Sequence, residues 1–198
     1  MELPKLSFRL PDWLIHHLGK SEKSFPTAQQ RMKCVVGLAR QNIEQGTGGP
    51  FGAGVFDNNG RLIAPGVNLV VANNCSVLHA EIVAIMLAQW RLGRFDIGDG
   101  GKDRYELVTS TEPCAMCFGA IPWSGVSSVV CGARDEDARR IGFDEGPKPD
   151  DWAAALNARG IKVTKDILRQ QAVSVLEHYS KMDGVVYNSG FNDSKHSQ

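Results

Sequence analysis

Two short segments decide the fold of this chain: His79-Ala80-Glu81 and Pro113-Cys114-Ala115-Met116-Cys117. Each stands where the pattern predicts the start of a helix. Zinc prefers imidazole nitrogen and thiolate sulfur, and a catalytic zinc uses three protein ligands and leaves the fourth position to water. His79, Cys114 and Cys117 supply three ligands of this kind. The two segments therefore predict one Zn²⁺ per chain, with a bound water or hydroxide.

The spacing within each segment has a physical reason. Cys114 and Cys117 are three residues apart, so a helical turn places both sulfurs on one face. The free N–H groups and the positive end of the helix dipole favour thiolate there. Glu81 is too close in sequence to His79 for both to bind one ion from a regular helix. We therefore expect Glu81 to accept a proton from the water, protonate a ring nitrogen and help an amine leave as ammonia.

The cysteines leave other interpretations open. A structural zinc module would need a fourth protein ligand, and Cys75 and Cys131 are the candidates. A redox pair would need no histidine and glutamate beside it. Because Cys34, Cys75 and Cys131 lie among apolar residues, we expect them to be core thiols. A non-catalytic zinc-binding module remains the non-enzyme alternative.

Bulk properties narrow the class of protein. The chain has 198 residues, with 22 basic and 22 acidic side chains, so it has no general field for holding nucleic acid. No apolar run reaches the roughly 18–20 residues that span a bilayer, and residues 1–20 lack the apolar core of a secretion signal. An odd count of 5 cysteines is not a disulfide framework. We expect a cytoplasmic protein that binds neither membrane nor nucleic acid.

The order of apolar patterns predicts an α/β fold. Helices are expected over 28–45, 79–94, 114–121 and 166–181, with helical turns near 13–18 and 135–141. Strands are expected over 53–56, 61–64, 67–72, 106–110, 127–131 and 161–164. This alternation indicates a single domain over 1–198 with helices on both faces of a sheet. Residues 1–25 form an N-terminal extension, and 183–198 form a C-terminal tail.

The two segments together resemble the signature of zinc base deaminases, histidine-x-glutamate followed by proline-cysteine-x-x-cysteine. The chain is similar to the cytidine-deaminase-like superfamily over residues 27–145. This resemblance implies a three-layer α/β/α sandwich with a central five-stranded mixed sheet. It also implies hydrolytic deamination of a nucleobase, the catalytic role of Glu81, and a homodimer.

Four further features look like the bacterial guanine deaminase branch: Pro50-Phe51-Gly52-Ala53, Asn68, Ile121-Pro122-Trp123 and Gly142-Phe143-Asp144-Glu145. In that branch the counterpart of Asn68 hydrogen-bonds the base. A second carboxylate acts as an additional proton shuttle, for which Glu145 is the best match and Asp144 the alternative. The C-terminal segment covers the active site, often from the partner subunit; Tyr187 and Phe191 are candidates for this lid.

The expected substrate is guanine, which would be converted to xanthine and ammonia. A buried site must satisfy the polar edge of the base, and Asn68 offers both a donor and an acceptor. The aromatic residues could supply apolar faces for a purine. The predicted substrate contacts are Asn68, Ala80, Phe51, Trp123, Phe143 and Asp144.

Other substrates share parts of this chemistry. Aminotriazines carry the same amidine edge as guanine. A tRNA adenosine deaminase shares the motif, but it should carry a basic C-terminal helix, and here the basic residues are balanced by acidic ones. A cytosine or cytidine deaminase is the remaining alternative.

Overall fold

The sheet is seen in a computed structural model that describes residues 7–19 and 24–188. Its five strands are β1 Gly52–Asp57, β2 Leu62–Val67, β3 Tyr105–Thr111, β4 Ser128–Ala133 and β5 Lys162–Thr164. They lie in the order β2-β1-β3-β4-β5. β1 runs antiparallel to β2 and β3, whereas β3, β4 and β5 are parallel. The sheet is therefore mixed, as the resemblance implies.

Helices cover both faces of this sheet. They are α1 Asp12–Gly19, α2 Ala28–Glu44, α3 Val70–Asn73, α4 Ala80–Leu92, α5 Ala115–Ser124, α6 Asp135–Arg140, α7 Trp152–Asn157 and α8 Arg169–Lys181. One buried apolar cluster joins α2 and α8 to the sheet, and a second joins α4, α5 and α7 to it. The predicted three-layer α/β/α sandwich is confirmed.

Alternation along the strands feeds the two clusters. Val108 and Val130 belong to the cluster under α2 and α8, whereas Leu107 and Val129 belong to the cluster under α4 and α5. Neighbouring residues of a strand point to opposite faces, so two buried layers follow from one continuous apolar run.

The strand expected over 67–72 is wrong. Val67 ends β2, and α3 begins at Val70. Between them the side-chain oxygen of Asn68 accepts a hydrogen bond from Val70 N at 3.3 Å. Asparagine side chains compete in this way with the sheet ladder, so the apolar run turns into a short helix. Helix α7 carries no prediction from the sequence.

Part of the N-terminal extension packs on the domain. Leu14 in α1 is fully buried in a cluster with Leu38 and Leu69, and Trp13 Nε1 donates to Thr47 Oγ1 at 3.0 Å. Residues 1–6, 20–23 and 189–198, including the lid candidate Phe191, lie outside the described residues. Among the described helices, none combines the length and apolar character needed to cross a membrane.

β2 lies unusually close to α4. A Cβ atom at Gly66 would stand 2.0 Å from Ala80 O and 2.6 Å from Ala84 N. Both atoms belong to backbone, which cannot yield as a flexible side chain can. Because α4 begins beside the predicted metal ligand His79, this glycine sets the position of one wall of the site.

We expect Gly66→Ala to lower the free energy of unfolding by about 1–3 kcal/mol or more, as overpacking does. Gly37→Ala is the matched control, because Gly37 is exposed on α2 and a Cβ there meets nothing within 4 Å. That change should stabilise the protein by about 0.5–1 kcal/mol. Urea unfolding of both variants measures the difference. An unchanged midpoint for Gly66→Ala would show that the contact is not rigid.

Candidate active site

Two helix N-termini bring the predicted metal ligands together. His79 is the N-cap residue of α4, and Cys114 is the N-cap residue of α5. His79 Nδ1 lies 3.4 Å from Cys114 Sγ and 3.7 Å from Cys117 Sγ. The three ligand atoms lie within 4.8 Å of one another. One nitrogen and two sulfurs at this spacing suit a tetrahedral zinc whose fourth position is open.

The pKa values of the two ligand thiols shift in opposite directions. The hydrogen bond from Cys117 lowers the pKa of Cys114 to about 4, and His79 adds to this. The same hydrogen bond, together with burial, raises the pKa of Cys117 well above its ordinary value. Burial alone would lower the pKa of His79, but its hydrogen bond to Cys114 raises it. Cys114 is therefore the ligand that is ready as a thiolate, and binding of a metal would displace the proton from Cys117.

Glu81 lies in the first turn of α4 and is only 6% exposed. Burial raises the pKa of Glu81, and the negative charge of Cys114 raises it further. A carboxyl with a raised pKa exchanges protons closer to neutral pH, which suits general acid–base work.

A cavity of about 270 Å³ opens beside the zinc-ligand triad of His79, Cys114 and Cys117. Of the predicted site residues, those that line it are Phe51, Asn68, His79, Glu81, Cys114, Phe143, Asp144 and Glu145. Cys117 is fully buried, and its sulfur lies with the ligand atoms of His79 and Cys114. The structure thus brings together most of the residues that the sequence singles out.

Asn68 has an unpaired donor at this cavity. The residue is 1% exposed, and its Oδ1 accepts from Val70 N. Within the described ranges 7–19 and 24–188, its Nδ2 has no hydrogen-bond partner, and neither do Thr111 Oγ1 and Tyr187 Oη, which belong to residues of the same cavity. A buried polar atom without a partner costs about 1–3 kcal/mol. Three such atoms around one cavity suit a polar occupant, which can be water or a ligand.

The two acidic residues of the Gly142–Glu145 segment are placed differently. Glu145 is 6% exposed, and burial followed by the charge of Cys114 raises its pKa to about 9. Asp144 is exposed; its Oδ1 accepts from Gly146 N at 2.9 Å and lies 3.6 Å from Arg139. Asp144 therefore holds the loop, whereas Glu145 stands as a buried acid at the cavity.

Two predicted substrate contacts do not reach the cavity. Trp123 is 79% exposed, because Ile121 and Ser124 occupy the buried side of α5. It lines a separate surface depression with Phe95. Ala80 is fully buried and packs in the apolar cluster under α4. The structure does not place either residue in the lining of the cavity, and their contact with the substrate stays a prediction.

The described part of the tail, residues 183–188, contributes more to the site than its sequence predicts. The ring of Tyr187 lies 5.0 Å from that of Phe143 and 6.4 Å from that of His79. Asn188 Oδ1 accepts from Asp144 N at 2.9 Å, and Asn188 Nδ2 donates to Gly142 O at 2.8 Å. No periodicity or motif marks Asn188, since its partners are more than 40 residues away in the chain.

Comparison with known proteins agrees with this geometry. Residues 26–133 match the family described as the cytidine and deoxycytidylate deaminase zinc-binding region. The guanine deaminase of Bacillus subtilis is 41% identical over 114 residues, which cover 58% of this chain and 69% of that protein.

Two solved structures extend the similarity over most of the fold. The guanine deaminase from Nitrosomonas europaea is 46% identical with a TM-score of 0.85, covering 89% of this chain and 97% of the other. A variant of the protein NE0047 in complex with 8-azaguanine is 45% identical with a TM-score of 0.87, covering 92% and 99%. The chain therefore belongs to the cytidine and deoxycytidylate deaminase zinc-binding family, in its bacterial guanine deaminase branch.

Proposed function

We propose that this protein is a zinc-dependent hydrolase that converts guanine and water to xanthine and ammonia, a step of purine breakdown. The observation that carries the proposal is the cavity beside the zinc ligands, where two carboxyl groups are buried and Asn68 Nδ2 has no hydrogen-bond partner among the described residues. The similar structure that holds 8-azaguanine supports a guanine-like base as the occupant.

The cavity favours a free base over a nucleotide. Its volume of about 270 Å³ is just below the roughly 300–1,000 Å³ of ordinary ligand pockets. Phe51 and Phe143 meet edge to face, with ring centroids 5.0 Å apart, and give the cavity an apolar wall. Because Oδ1 of Asn68 is already engaged, its Nδ2 is the group that would donate to a carbonyl oxygen or ring nitrogen of the base.

The chemistry divides between two carboxyl groups. A zinc ion held by His79, Cys114 and Cys117 would supply a Lewis acid that lowers the pKa of water. Glu81 takes the proton of the attacking water and delivers it to the ring nitrogen beside the amino-bearing carbon. Glu145 protonates the amino group as its carbon–nitrogen bond breaks, and it regains a proton from the hydroxyl group that the water has left on the same carbon. That oxygen becomes the new exocyclic carbonyl oxygen, and ammonia leaves.

We also propose that residues 183–188, the described part of the tail, act as a lid supplied by the same chain. Tyr179 Oη donates to Val185 O at 2.9 Å, and Asn188 fastens the segment to Gly142 and Asp144. Tyr187 then fits against Gly49, where a Cβ would stand 2.7 Å from the Tyr187 hydroxyl oxygen. Together with α1, this lid supports one domain over residues 1–198.

A homodimer is proposed from exposed apolar side chains on α4, on α5 and in the loop after α4. They are Met86, Trp90, Phe95, Met116 and Trp123, of which Met116 also lines the cavity. Exposed aromatic and methionine side chains of this kind are enriched at protein interfaces. A sedimentation mass of one chain would overturn this proposal. A cytoplasmic location is supported by the odd count of 5 cysteines, which does not suit a disulfide framework.

The proposed substrate is tested by ammonia release from guanine, adenine, cytosine, their nucleosides and aminotriazines. We expect guanine to be preferred over adenine and cytosine by about 10²-fold or more, because a polar site rejects bases that leave its groups unpaired. Nucleosides should be excluded by the small cavity. Activity on cytosine alone, or a salt-sensitive complex with tRNA without activity on guanine, would move the function to another member of the family.

We expect Glu81→Gln to lower kcat by about 10²–10⁴-fold or more, because the amide cannot carry the proton. Zinc content should stay at about one ion per chain, since Glu81 is not a ligand. Glu177→Gln, exposed on α8, is the matched control. Metal analysis and steady-state kinetics measure both effects. Full turnover in Glu81→Gln would assign the proton transfer to another group.

Glu145→Gln should depress kcat more than Asp144→Asn does. The buried Glu145 lies at the cavity, whereas Asp144 is exposed and braces the loop. Single-turnover rates with guanine separate chemistry from product release. The opposite order of the two variants would make Asp144 the second proton carrier.

A further inference from the structure

A buried lysine lies behind the zinc ligands and has no place in the proposed chemistry. The side chain of Lys148 is 7% exposed, and its Nζ donates to Pro113 O at 2.7 Å. The same Nζ lies 3.3 Å from Asp135 Oδ1 and 5.4 Å from the centre of the Trp152 ring. A buried ammonium group is costly unless it is paired and hydrogen-bonded, and each of these contacts offsets that cost.

Two hydrogen bonds hold the segment from Glu145 to Lys148 on either side of Cys114. Ala115 N donates to Glu145 O at 2.8 Å, and Lys148 Nζ donates to Pro113 O. The bonded residues immediately precede and follow the zinc ligand. One short segment therefore sets the position of Cys114 and carries the acid Glu145.

Asp135, the acidic partner of Lys148, is held in place by further contacts. Asp135 N donates to Glu112 Oε2 at 3.2 Å, and Glu112 Oε1 pairs with Lys165 at 2.8 Å. Lys165 also lies 5.1 Å from the centre of the Trp152 ring. The network joins the end of β3 to the start of α6, so the ammonium group of Lys148 cannot shift without breaking contacts on both sides.

We propose that Lys148 is a positioning residue that fixes the zinc ligand Cys114 and the acid Glu145 relative to each other. The part that concerns Glu145 rests on the proposed function; the part that concerns Cys114 does not. Partners that orient metal ligands in this way are worth about 10–100-fold in metal affinity or activity.

The test compares zinc-loaded full-length protein with Lys148→Met, Lys148→Arg and Lys102→Met. Lys102 is the matched control, because its side chain is 77% exposed and it pairs with Asp99 on the surface. Transfer of zinc to a chelating dye should be about 10–100-fold faster for Lys148→Met. It should be partly restored in Lys148→Arg and unchanged in Lys102→Met. Equal transfer rates in all three variants would overturn the proposal.

Two further readouts separate positioning from plain stability. The cobalt-substituted Lys148→Met protein should show altered thiolate-to-metal absorption while its far-ultraviolet circular dichroism stays that of the parent. Its kcat on guanine should fall more than its KM rises. A lower unfolding temperature with an unchanged cobalt spectrum and zinc transfer rate would show a merely structural role.

The outcomes also separate this proposal from the proposed function. If the parent protein releases no ammonia from guanine but Lys148→Met still loses zinc faster, the function fails and the role at Cys114 stands. If Lys148→Met does not fold, Lys148→Gln replaces it, because the amide is polar but its side chain is one atom shorter and lacks the charge that pairs with Asp135. The same faster zinc transfer is expected, and an unchanged rate would overturn the role of Lys148.

Discussion

The structure depends on the meeting of two helix N-termini at one set of ligand atoms. His79 caps α4 and Cys114 caps α5, so each ligand sits where a helix offers free N–H groups. The mixed sheet makes this possible, because β2 and β3 both end beside the start of β1. The connections that follow β2 and β3 therefore leave the sheet toward the same cavity. The close approach of Gly66 to α4 then holds one helix start in place.

Acidic groups concentrated at one cavity are the second constraint. Glu81, Glu145 and the Cys114 thiolate lie around this cavity, and the pKa of each carboxyl is raised by burial and by that thiolate. Such a set opposes folding of the bare chain at neutral pH, because each carboxyl would be more stable ionised in water. A divalent cation held by His79, Cys114 and Cys117 would offset this cost by favouring the ionised carboxylates. Stability is thus given up locally for chemistry, as is common at catalytic sites.

The predictions from sequence succeed where chemistry is local and fail where it is not. His79, Cys114 and Cys117 are recognisable because only a few residue types bind zinc and helical spacing fixes their faces. The resemblance implies a substrate contact for Trp123, but its side chain is 79% exposed, because Ile121 and Ser124 occupy the buried side of α5. The apolar run after Val67 predicts a strand, and one side-chain hydrogen bond from Val70 to Asn68 redirects it. Asn188 was out of reach, since only the folded chain brings it to Gly142.

The buried polar atoms of the cavity bear on how the site would select its base. Among the described residues, Asn68 Nδ2 and Tyr187 Oη are buried without a hydrogen-bond partner. Water can bond such atoms, so a base that displaces the water must replace those hydrogen bonds. A base that cannot do so leaves each group unsatisfied, at about 1–3 kcal/mol. A matching base avoids this cost, and the same atoms that bind it therefore disfavour the others.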